Sequence, residues 1–138
     1  MLPGISLASA DLSEVQALLV TLENADLRGA ILERGQFSYA RLRHARLTSS
    51  QLQHAQLVGA DLRKAVLRNV NAEQAIFSQA NMSSANLKGA CLYRANLGLA
   101  CLHRADLRGA DLREAYLVGA DLCTADVSGA CFDGAIFV

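Results

Sequence analysis

"ANLGLACLHRADLRGADLREAYLVGADL", residues 95–122, places an alanine and, two positions later, a leucine at every fifth residue. Neither common backbone period explains this. In an α-helix a five-residue step rotates the apolar position by roughly 140°, which smears it around the cylinder. In a straight strand side chains alternate, so an odd repeat sends successive leucines to opposite faces. A short extended segment Ala-x-Leu does work, provided a corner then turns the chain back around the same interior. Its two apolar residues point inward and the other three positions point outward.

The register runs without insertion from Ala25 to Ala135. The central position holds Leu in most repeats, with Phe37, Phe77, Met82, Val127, Phe132 and Phe137 as variants. Gly29, Gly59, Gly89, Gly109, Gly119, Gly129 and Gly134 all lie two places after the central residue, where a tight corner calls for positive φ. In "VNAEQ" the sizes are exchanged: Val70 takes the small site and Ala72 the central one, a volume-conserving swap that a close-packed core tolerates.

The segment "ADLRGADLREA" and its neighbours resemble the pentapeptide-repeat family, whose motif is A(D/N)LXX, and the match spans residues 25–138. The resemblance implies an all-β fold, a right-handed four-sided parallel β-helix with four repeats, or twenty residues, per coil. On that basis residues 25–138 make about five and a half coils and a rod about 27 Å long. Leu42, Leu62, Met82, Leu102 and Leu122 then stack inside it, each contributing on the order of 1.5–3 kcal/mol by burial. The family also implies a bacterial source, and most of its members have no assigned biochemical role.

Both ends of such a helix expose strand edges that need a cover. At the N-terminus Asp11-Leu-Ser-Glu14 resembles a capping box, and Leu12, Val15, Leu18, Leu19 and Leu22 fall on one side of a helical wheel. This predicts a cap over residues 1–23 with a helix at about 12–22, followed by the repeat domain over 24–138. Continuing the five-residue register backwards would instead leave Leu18 and Leu19 in water. At the other end "CFDGAIFV" carries no capping helix, so Phe132, Ile136, Phe137 and Val138 are expected to meet further chain or a partner, most simply a second copy end to end.

Thirteen basic and thirteen acidic side chains give 138 residues a formal net charge of zero, so no bulk field points to nucleic acid or an anionic membrane. There is no apolar run of membrane-span length and no secretory pattern at the start. Cys91, Cys101, Cys123 and Cys131 cluster in the last third of a chain that builds its own core, which favours free thiols in a reducing cytosol.

Asp11, Asp26, Asp61, Asp106, Asp111, Asp121 and Asp126 share the position before the central residue with Asn71, Asn81, Asn86 and Asn96. Acid–base chemistry would not treat Asp and Asn alike, so a backbone-bonding role is expected for both. With residues twenty apart stacked, Cys101 and His103 lie beside Asp121 and Cys123, four metal-ligand types in one patch that could converge on zinc. Arg28, Arg68, Lys88 and Arg108 form a column on one side, a candidate partner-binding strip.

No phosphate loop, nucleophile elbow or triad signature is present, and flat walls around a filled interior offer no pocket. The sequence therefore reads as a non-enzymatic scaffold without cofactor that docks a protein. The resemblance carries an alternative, since some family members imitate duplex DNA and protect type II topoisomerases, but zero net charge and basic columns argue against a DNA mimic. A metal-binding or nucleic-acid-binding module is the further alternative.

Overall fold

A computed structural model of the chain describes residues 4–138. One event recurs in every repeat. The residue before the central position bridges in parallel to the residue twenty further on, from Ser6 with Asp26 to Tyr116 with Ile136. Four repeats therefore close one coil, and the coils stack as a right-handed four-sided β-helix. The sides are numbered here by their repeats in the second coil: face 1 at Ala25-Asp26-Leu27, face 2 at Ala30-Ile31-Leu32, face 3 at Gly35-Gln36-Phe37 and face 4 at Ala40-Arg41-Leu42.

The repeat at Asp61 shows where the backbone hydrogen bonds go. The Leu62 N–H donates to the Asn81 carbonyl (2.8 Å), the Asp61 N–H to Ala40 (2.9 Å) and the Lys64 N–H to Ser83 (3.1 Å), so three donors tie adjacent coils. The Ala65 N–H closes the corner on Leu62 (3.0 Å). The fifth N–H, on Arg63, has no backbone acceptor and donates to Asp61 Oδ1 at 3.2 Å. All eleven Asp and Asn residues at this position accept the N–H two places on in the same way, as with Asn86 and Lys88 at 3.1 Å or Asp121 and Cys123 at 2.9 Å. The Asx side chain supplies the one acceptor the ladder lacks, which the Asp/Asn interchange requires.

Central and small residues from Leu22 to Leu117 are buried and form one continuous core. Its two inward positions compensate each other in volume. Beside Phe37 the small site holds Gly35, where a Cβ would collide with the Phe37 ring. Where the small site holds valine, the corner opens: the closing bond is 3.3 Å at Val15, 3.2 Å at Val20 and 3.3 Å at Val70, against 3.0 Å at Ala40, Ala65 and Ala90. The β-branched side chain pushes its corner outward, while Val70 and Ala72 both stay buried.

The corner residue adopts positive φ throughout, and glycine is a preference there, not a requirement. Gly119 has φ 72°, but Leu99 is at 58°, Tyr39 at 59° and Thr124 at 60°. The coil's hydrogen bonds outweigh the cost of a left-handed non-glycine residue, on the order of 1–2 kcal/mol.

The cap helix expected at about 12–22 is absent. Residues 4–23 form a further coil in the same register, with Asp11 bridged to Ile31, Gln16 to Gln36 and Thr21 to Arg41. Asp11 binds the Ser13 N–H (3.0 Å) and hydroxyl (2.6 Å) as an Asx turn in place of a capping box. The physical reason lies in the coil below. A helix would leave the backbone edge of residues 31–41 open, whereas the coil pairs it through Leu12, Ala17 and Leu22 N–H bonds of 2.7–2.8 Å. The cost is that Leu18 and Leu19 stand 60% and 68% exposed. With that extra coil the rod is about 32 Å long at roughly 4.8 Å per layer. Among the described residues no helix is long and apolar enough to cross a membrane.

Candidate functional site

Because every coil has the same backbone, the outward side chains alone distinguish one face from another. On face 1 the column Arg28, Arg68, Lys88, Arg108 does align, with Thr48 between the first two. Its ends are neutralised within their own repeats. Arg28 forks onto Asp26 (2.8 and 2.6 Å) and Arg108 onto Asp106 (2.8 and 2.7 Å). Arg68 and Lys88 make no ion pair among the described residues, so the cationic centre of the column lies at these two.

The same Asp-Leu-Arg fork recurs at Asp61 with Arg63 and at Asp111 with Arg113. The guanidinium holds each carboxyl below its ordinary value, down to about 2 at Asp26 and Asp106. A carboxyl whose folded pKa lies below its unfolded value of 3.8 stabilises the fold above that value and loses the contribution as pH falls through the folded one. Thermal midpoints are thus expected to be level from about pH 7 to 5 and to drop between about pH 4 and 2. A midpoint unchanged at pH 2 would show that the forks contribute nothing, as exposed pairs often do.

On face 2, Tyr93 ties two coils. Its hydroxyl donates to Glu114 at 3.1 Å, Arg94 pairs with the same carboxylate at 2.6 Å, and the Arg94 and Arg113 guanidinium carbons lie 4.9 and 5.6 Å from the ring centroid.

Face 4 carries the proposed metal ligands. Cys101 bridges to Asp121, so the four residues do occupy adjacent coils. Their side chains turn to different partners: Cys101 Sγ to Ser83 Oγ (3.1 Å), Asp121 Oδ1 to the Cys123 N–H (2.9 Å), and His103 Nδ1 to Thr124 Oγ1 (3.5 Å). Among the described residues no three His, Cys, Asp or Glu side chains converge on a metal position. Stems rising in parallel from a flat wall keep such groups apart. All four cysteines are free, with Cys123 exposed.

Face 3 was not singled out by sequence reasoning. It carries none of the charged side chains and no histidine, while Leu18, Leu19, Tyr39, Leu99 and Tyr116 stand exposed on it. Reading every twentieth residue would have revealed this. At the C-terminal end Ile136, Phe137 and Val138 are exposed, and the Phe132 and Phe137 rings pack at 5.8 Å between centroids. No cavity is found among the described residues, so what the surface offers chemically is a set of flat stripes.

Compared with known families, the chain matches the model for pentapeptide repeats in eight copies over residues 25–63, 60–98 and 100–137. The chain belongs to the pentapeptide-repeat family. Among solved pentapeptide-repeat structures it is similar to Rfr23 from the cyanobacterium Cyanothece 51142, with 30% identity and a TM-score of 0.56. That match covers 78% of this chain and 64% of Rfr23, so the chain spans less than two thirds of that protein's length. It is also similar to HetL from the cyanobacterium Nostoc sp. Strain PCC 7120, a pentapeptide-repeat protein involved in heterocyst differentiation regulation. There identity is 27% and the TM-score 0.50, over 98% of this chain and 90% of HetL. A trypsin-treated variant of QnrB1, a plasmid-mediated fluoroquinolone resistance protein, shares 21% identity at TM-score 0.47, over 96% of this chain and 72% of that one. A search of curated proteins gave no match.

Proposed function

We propose that this pentapeptide-repeat protein is a non-enzymatic scaffold, working in the cytosol, that docks a protein partner along a side of the rod. The observation that carries this reading is the sorting of outward chemistry into separate longitudinal stripes on a rigid, filled β-helix. Stripes of this kind address an extended partner and give a small substrate no concavity to enter. HetL's involvement in regulation agrees with a binding role. The strip assigned to the partner is the face 1 column. Its free cations Arg68 and Lys88 suit an acidic protein surface, while Arg28 and Arg108 are already held by Asp26 and Asp106. A DNA-mimic role would need a continuous acidic surface, and this column interrupts it.

The test is affinity capture from the source cell's lysate with wild-type bait beside an Arg68→Glu, Lys88→Glu double variant, both exposed changes that leave the core alone. One stoichiometric protein captured by the wild type and lost from the variant is the expected result. Equal capture by both baits would remove the column from the reading, and capture of a topoisomerase would replace the scaffold reading with the mimic.

A further inference from the structure

Three stripes of the surface carry all thirteen basic and all thirteen acidic side chains, and face 3 carries none of them. Its exposed positions include Leu18 and Leu19 (60% and 68%), Tyr39 (52%), Leu99 (63%) and Tyr116 (43%). These apolar side chains gather toward the two ends of the face, with uncharged residues such as Gln56, Ile76 and Gln79 between them, and an uncharged wall of this length bordered by charged rows is the pattern of an interaction site.

The strip is also flat by construction. Tyr39 lies over Gly59, where a Cβ would come 2.5 Å from its ring, and Leu99 lies over Gly119 at 2.6 Å. Tyr116 covers Gly98 at 2.9 Å. Each large side chain is thus laid along the rod onto a glycine of a neighbouring coil. A low-relief, straight and uncharged wall is complementary to an equal wall, and face-to-face pairing of such walls brings no like charges together within the strip.

We propose that face 3 is a lateral dimer interface that docks the same face of a second copy of this chain. The area suffices. The whole surface is 6424 Å², so one side, with the ends set apart, offers on the order of 1,200 Å², against the roughly 800 Å² per partner of a standard stable interface. The corner row between faces 2 and 3 also allows a register. It carries Glu14, Arg34, Arg94 and Glu114. Antiparallel rods related by a two-fold axis through the middle of this row, at Gln74, oppose Arg34 of each copy to Glu114 of the other. This proposal is independent of the partner assigned to face 1, which the capture experiment tests separately.

Analytical ultracentrifugation from about 1 to 100 µM, with X-ray scattering of the same samples, decides it. The wild type is expected to be a dimer whose maximum dimension stays near that of one rod while its cross-section grows. Leu99→Glu and Tyr39→Glu, both at exposed corners and checked for fold by circular dichroism, are each expected to weaken association at least 100-fold. Phe132→Glu, at the C-terminal end but on face 2, is expected to leave it unchanged. A wild type monomeric at 100 µM would overturn the proposal. So would a dimer of doubled length, or one lost through Phe132→Glu but kept by both face variants.

Discussion

Leu62→Asp is expected to abolish the folded rod. Leu62 is fully buried, and its backbone register stacks it between Leu42 and Met82, both of which are also fully buried. The substitution removes about 1.5–3 kcal/mol of apolar burial. It also places a carboxyl where nothing can bond it, because the neighbouring backbone donors are committed: the Leu62 N–H to Asn81 and the Ala65 N–H to the Leu62 carbonyl. Together these exceed roughly 4–5 kcal/mol, against a total stability of about 5–15 kcal/mol for a domain. A solenoid passes the damage on, because each coil is held only by its neighbours. Leu122→Asp is the control. Leu122 is only partly buried, in the last turns of the rod, and its loss is expected to fray that end while the middle persists. Circular dichroism with urea unfolding reads both. A Leu62→Asp protein that keeps wild-type signal and midpoint would mean that the interior is not the continuous apolar column described here.

The second large effect concerns Val70 and Ala72. Val70→Ala alone is expected to leave a void costing about 2 kcal/mol, and Ala72→Leu alone to overfill the same coil at about 1–3 kcal/mol. The double variant restores the usual small-then-large order of the repeat and is expected near wild-type stability. The two sites therefore couple by several kcal/mol in a double-mutant cycle. The 3.3 Å closing bond at Val70, longer than the 3.0 Å at Ala65, is the local mark of the exchanged sizes. Urea midpoints with unchanged slopes would measure the cycle. Simple additivity would show that Val70 and Ala72 occupy separate spaces.

Gly35 beside Phe37 follows the same rule from the other direction, while the exchange at Val70 and Ala72 was legible as a departure from Ala-x-Leu. The role of the Asx position was legible too, because Asp and Asn alternate there without regard to charge. The N-terminal coil was misread for an instructive reason. Leu12, Val15, Leu18, Leu19 and Leu22 do suit a helix taken alone, and only the open edge of the coil at residues 31–41 makes the extended register the better choice. The expected zinc ligands show what the sequence leaves open: stacking sets Cys101, His103, Asp121 and Cys123 on adjacent coils, while the direction of each side chain follows its own partner on a flat wall.

The five-residue period, the inward and outward positions, the corners and the filled core were all legible in the chain of residues. Each of these is a local property, set within one repeat by side-chain size and by the hydrogen bonds of five residues. How the N-terminal edge is covered and which outward residues share a face emerged only from the stacked coils, because both depend on groups one coil away. Face 3 is the consequence: Tyr39 and Leu99 are sixty positions apart in the chain, yet the twenty-residue coil sets them on one uncharged wall.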